Sequence, residues 1–154
     1  MSKVCRIVVH CTATRAGSRV TREGLRHQFF EVNHWKHWGY HVVVYEDGTW
    51  EVLQPLPKVW SYGGFIDNST MANGARGYNL DSLHIAYAGG LDKQTGKPAD
   101  TRTDAQKETL RVLITSWMLK YRVTEVVGHC QLPNVCKACP CFDARKEYSD
   151  VRLG

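Results

Sequence analysis

The apolar positions change period along the chain, and the changes mark the elements. Val4 to Val9 is a short run rich in β-branched residues and reads as a buried strand, with His10 at its C-terminal end. Beyond Thr21, a residue suited to cap a helix, Leu25, Phe29 and Val32 recur at helical spacing. They predict a helix to about His37, ended at Gly39. Tyr40 to Tyr45 and Thr49 to Leu53 are strand-like and flank Asp47-Gly48, a hairpin signal. Residues 61–79, rich in Gly, Asn and Ser, read as a long surface loop. Ser82 to Ala88 predicts another strand, closed by Gly89-Gly90. Thr103 and Gln106 have capping-box spacing, and Leu110, Leu113, Ile114, Trp117, Met118 and Tyr121 then trace an amphipathic helix to about Tyr121. Glu125 to Gly128 is a last short strand, leading into His129 and a cysteine-rich loop. Strands interleaved with two long helices predict an α/β fold with a mixed central sheet flanked by helices. With no internal repeat or linker, the expectation is one domain over residues 1–154.

Composition narrows the class. Hydrophobic residues make up 43% and charged residues 23% of 154 positions, which suits a globular core and excludes a disordered chain. No apolar run approaches the roughly 18 residues of a spanning helix, so no membrane span is expected. The start shows no secretory signal, so the chain is expected to be made in the cytoplasm and to reach any outer site by another route. A net charge of +5 suits an anionic surface such as nucleic acid or a cell-wall polymer, without choosing between them. Two of the six cysteines lie early (Cys5, Cys11) and four crowd one loop (Cys130, Cys136, Cys139, Cys141). In a chain without a leader this usage points to free thiols or metal ligands before disulfides.

Candidate chemistry falls in two groups. His27, His34 and His37 cluster on one side of the predicted helix, nearly opposite Leu25, Phe29 and Val32, and are expected to face solvent. His27 and His34 are two turns, or roughly 10 Å, apart, too far to share a metal ion. His10 and His129 both follow strands, and Cys139 comes ten residues after His129. Strand ends in α/β sheets hand side chains to a functional rim, and three N/S donors with one open position suit a catalytic zinc. Spacing leaves two alternatives open. Cys136 and Cys139 also form a C-x2-C that could close a structural zinc site with His129 and Cys130, or serve redox chemistry.

Six motifs in one order carry a resemblance. They are Val9-His-Cys-Thr-Ala-Thr14, Gly39-Tyr-His-Val-Val43, Asp47-Gly-Thr49, Gly77-Tyr-Asn79, Gly89-Gly-Leu-Asp92 and Lys137-Ala-Cys-Pro140. The set resembles the zinc-dependent N-acetylmuramoyl-L-alanine amidases of the phage T7 lysozyme type, relatives of the peptidoglycan recognition proteins, from Val4 to about Phe142. The resemblance implies hydrolysis of the amide between N-acetylmuramic acid and L-alanine in peptidoglycan, by a monomer, as in an endolysin. It implies one zinc ion per chain on His10, His129 and Cys139, with Tyr40 and Lys137 as catalytic residues. In those roles Lys137 would stabilise an oxyanion, and Tyr40 would orient water and relay its proton. Neither a nucleic-acid nor a membrane partner is expected.

The sequence also departs from the pattern. A histidine common in the loop beside the cleft has no clear counterpart: either Tyr62 replaces it or the position is lost. The stretch from Tyr62 to Arg76 is longer than in the phage protein, and Cys136 and Cys141 are extra thiols beside Cys139. Trp38, Trp50, Trp60, Tyr62 and Tyr78 are candidate groove walls. Two rival classes make distinct demands. A non-catalytic peptidoglycan-binding module has no need of Cys139, and a zinc-finger-like nucleic-acid binder on Cys130, Cys136, Cys139 and Cys141 leaves His10 and Tyr40 unexplained.

Overall fold

The computed structural model describes residues 2–60, 63–135 and 137–151. In chain order, β1 (Ser2–Lys3), β2 (Arg6–Cys11) and β3 (Thr14–Arg15) precede α1 (Arg22–Arg26). There follow β4 (Val42–Val44), β5 (Trp50–Val52), β6 (Val59–Trp60), β7 (Gly63–Ile66), β8 (Ser82–Tyr87) and β9 (Gly90–Leu91). The chain then forms α2 (Asp104–Tyr121), β10 (Glu125–Gly128) and α3 (Ala144–Glu147). The central sheet has the order β10-β2-β8-β4-β5, parallel except for the β5 edge, which turns back antiparallel on β4. This is the expected mixed α/β arrangement.

Side-chain alternation gives the sheet two different faces. Ile7, Val9, Leu83, Ile85, Val42 and Val44 point one way and pack with Leu110, Ile114, Trp117 and Tyr121 of α2. α2 starts at the expected capping box: Thr103 Oγ1 accepts the Gln106 N–H, and Gln106 Oε1 accepts the Thr103 N–H. The opposite face carries the other parity. There Val8 and Val127 pack on Ala75 and Leu132, and Val43 packs on Leu25, Phe29 and Leu53. His10, His41 and His84 are buried on this face, away from α2.

Two expected elements differ. The first helix has only five α-helical residues before the backbone widens into a π-helical turn over His27–Val32. His34, in the left-handed region at φ 57°, ends it short of His37. Val32 is consequently 52% exposed rather than on a buried stripe, while His27 and His34 do face solvent and His37 is half-buried. The expected loop over residues 61–79 contains β7, which pairs antiparallel with both β1 and β6. Gly64 permits this strand to lie on the core, since a Cβ there would meet Tyr121 Cδ1 at 2.4 Å. Ile66, Ala72 and Ala75 of the same segment are buried. Ser61, Tyr62 and Cys136 lie outside the described residues, and with them the expectations for Tyr62 and for the C-x2-C.

Candidate active site

Three sequence-distant side chains meet on the face away from α2. His10 is the fifth residue of β2, and His129 opens a 3-10 turn directly after β10, the parallel neighbour of β2. Their rings stand 4.7 Å apart, edge to face. Cys139 arrives from the loop that follows, and its Sγ accepts the Cys11 backbone N–H at 3.2 Å. Cys139 Sγ lies 3.8 Å from His10 Nδ1. One ligand atom from each of His10, His129 and Cys139 falls within 4.8 Å of the other two, the one such group among the described residues.

The loop is pinned so that these groups stay together. Cys130 N–H donates to Cys139 O at 2.8 Å, joining the turn of one donor to the backbone of another. Tyr87 hydroxyl donates to Pro140 O at 2.6 Å. Gly128 sits so close beneath that a Cβ would lie 2.7 Å from Pro140 Cδ.

Burial sets the protonation states. It holds the His10 imidazole well below its ordinary value, helped by His129 and Lys137, and brings His129 down to about 4. Both rings are therefore neutral near pH 7, with a lone pair free to bind a cation. Hydrogen bonding to Cys139 and burial push the Cys11 thiol up, so Cys11 remains S–H and is a poor ligand beside Cys139. The five described cysteines, Cys5, Cys11, Cys130, Cys139 and Cys141, are free. Cys141 turns its thiol to Gly90 O at 3.4 Å, and no closed four-sulfur site forms among the described residues.

A cavity of about 200 Å³ opens over the three donors, with Tyr40 and Lys137 in its lining. Tyr40 hydroxyl donates to Cys11 O at 3.2 Å, and its ring lies 5.3 Å from that of His10. Burial, with Cys139 and Cys11, pushes this phenol far above its ordinary value, which makes it an O–H donor and a poor base. Lys137 is exposed at the mouth. The cavity runs into a groove of about 930 Å³, sharing Trp35, Asn73, Gly74, His129 and Lys137 with it. Tyr78 lines the groove, its hydroxyl donating to Pro133 O at 3.4 Å, and Asn79 Oδ1 accepts the Ala75 N–H at 2.8 Å beside it.

The sequence model of the N-acetylmuramoyl-L-alanine amidase family matches residues 1–142. The chain belongs to that family. It is 31% identical over 147 residues to the endolysin of Escherichia phage T7, covering 96% of this chain and 87% of that one. Among solved structures, it is similar to the N-acetylmuramoyl-L-alanine amidase LysC from Clostridium intestinale URNW. The TM-score is 0.72 at 19% identity, over 99% of this chain and 88% of LysC. Drosophila Peptidoglycan Recognition Protein (PGRP)-SA shares the fold with a TM-score of 0.69 at 13% identity, over 100% and 83% of the two chains. The protein is an amidase of peptidoglycan, with the cell-wall lytic activity of its family.

The amidase thus brings together all five residues singled out from its sequence: His10, His129, Cys139, Tyr40 and Lys137. Its groove walls are only partly those expected. Tyr78 lines the groove, but Trp38 packs on Phe29 and Phe30 at the edge of the core, and Trp50 and Trp60 are exposed away from it. Trp35 takes the wall position, stacked on Phe29 at 5.4 Å. Sequence reasoning also passed over His41 and His84. His84 Nδ1 lies 2.8 Å from His10 Nε2, and its backbone N–H donates to His41 Nδ1 at 3.0 Å. The parity of the Ser82–Ala88 strand could have put His84 on the same face as Ala86, but only the β2–β8 register puts it beside His10. His84 Nε2 is buried without a partner among the described residues, a state that costs about 1–3 kcal/mol for a polar group.

Proposed function

We propose that His10, His129 and Cys139 hold one zinc ion and that Tyr40 and Lys137 act on the N-acetylmuramoyl-L-alanine amide seated above it. The observation that carries this reading is the meeting of two buried imidazoles and a free cysteine within 4.8 Å in the lining of the cavity. A donor set of two nitrogens and one sulfur matches zinc in softness. Bound there, zinc supplies an activated water and polarises the scissile carbonyl.

The chain's own groups do the rest. The Lys137 ammonium, at the mouth of the cavity, stabilises the oxyanion as charge develops on the carbonyl oxygen. Tyr40, tethered to Cys11 O, offers its O–H to orient the attacking water. Trp35 and Tyr78 give the groove apolar walls, and Asn73, Arg76 and Asn134 give it polar ones, a mixture suited to a glycan strand with its stem peptide. The protein works on this reading as a monomeric, endolysin-like enzyme in one amidase domain over residues 1–154, with the cell wall as its place of action and no nucleic-acid or membrane partner.

Metal stoichiometry tests the assignment. After dialysis against zinc and removal of excess, the wild type is expected to retain one equivalent and His129→Ala well under half of one. Full retention by His129→Ala would remove His129 from the ligand set.

A further inference from the structure

His84 stands in the site without a role. It pairs in register with Val8, and the next residue of its parity, Ala86, pairs with His10, so both imidazoles rise from the same sheet face. Their ring centroids are 5.0 Å apart, and His10 Nε2 lies 2.8 Å from His84 Nδ1. The other nitrogen of His10, Nδ1, faces Cys139 Sγ at 3.8 Å. A neutral imidazole has one N–H and one lone pair, and the hydrogen bond at one nitrogen fixes which is which.

The surroundings hold His84 in this position. Its backbone N–H donates to His41 Nδ1, and the His41 and His84 rings are parallel to within 5°. Gly74 supplies the room: a Cβ there would fall 2.2 Å from His84 Nδ1. If His84 Nδ1 accepts a hydrogen bond from His10 Nε2–H, the N–H of His84 itself must sit on Nε2, the buried nitrogen left without a partner among the described residues. Packing alone would be served as well by an apolar side chain.

We propose that His84 is a positioning residue of the metal centre: its Nδ1 accepts the His10 Nε2–H and so holds His10 in the tautomer whose Nδ1 lone pair faces Cys139. This rests on His10 being a metal ligand. Partners of this kind orient the ligating ring and raise its basicity, and their loss weakens metal binding by about 10–100-fold.

The test is zinc affinity, by competition with a chelator, for wild type, His84→Leu and His84→Asn. Leucine removes the acceptor, whereas asparagine offers Oδ1 near the place of Nδ1. His84→Leu is expected to bind zinc about 10–100-fold more weakly, and His84→Asn to recover most of that loss. Equal affinity in wild type and His84→Leu, or an equal loss in both variants, would overturn the proposal. Should His84→Leu fail to fold, nitrogen-15 spectra of the metal-free wild type decide. A proton on His10 Nε2 is expected, and one on Nδ1 overturns the assignment. A wild type that binds no zinc would instead defeat the ligand reading itself, and this proposal with it.

Discussion

At the scale of single residues, the division of labour between Lys137 and the three donors is the sharpest claim. Lys137 lines the cavity mouth from an exposed position and is not among the three metal-competent donors, so its loss is expected to leave metal and fold in place. Removing one oxyanion-stabilising donor typically costs about 100–1000-fold in kcat. Lys137→Met is therefore expected to lose kcat on that order while retaining its zinc and its melting temperature. A variant with near-normal kcat would return Lys137 to the status of a solvated loop cation. These candidates were legible in sequence because His10, Tyr40, Lys137 and Cys139 sit inside short contiguous motifs and His129 directly follows a strand. His84 was not, because only the pairing of β2 with β8 brings it beside His10, 74 residues away in the chain.

Among the elements, α2 and the histidine face are separated by the sheet, which makes their contributions separable. The Thr103 side chain caps α2 and also donates to Glu46 O at 2.6 Å. Thr103→Ala should cost about 0.5–2 kcal/mol of stability, the range for losing such a cap, with kcat per zinc unchanged. Denaturant melts and steady-state rates check both halves, and a parallel loss of kcat would show that α2 supports the site directly. The same elements mark where sequence reading succeeds. α2 and its capping box were legible because spacing, cap and apolar stripe agree, and β2, β8 and β10 because short apolar runs end at clear breaks. β7 was hidden because Gly63-Gly64 reads as loop, while the reason for glycine there is Tyr121 of α2, far along the chain. The π-helical turn was hidden too, since Phe29 and Val32 keep α-helical spacing although only Phe29 reaches the core.

For the whole molecule, the buried histidines make stability depend on pH. Burial depresses His10 and His84 well below the ordinary imidazole value and brings His41 and His129 to about 4. As pH falls below about 6.5, the unfolded chain takes up protons that the folded chain refuses until about 4, so stability is complete above 6.5 and lost across that window. For His41 alone the window is worth on the order of 3 kcal/mol. Denaturant melts of the metal-free protein should show this fall, and His41→Asn should make it shallower by the His41 share. An unfolding free energy constant between about pH 7 and 4.5 would contradict the burial argument.

The central claim is that an open site of two histidines and one cysteine cleaves the amide of peptidoglycan. The most direct measurement is the release of L-alanine amino termini from purified peptidoglycan by wild type and Cys139→Ala, with zinc content determined on the same samples. The account predicts steady release by the wild type with one zinc per chain, and the loss of both together in Cys139→Ala. A wild type that holds zinc and binds the wall yet frees no amino termini would contradict it and leave a recognition module in its place.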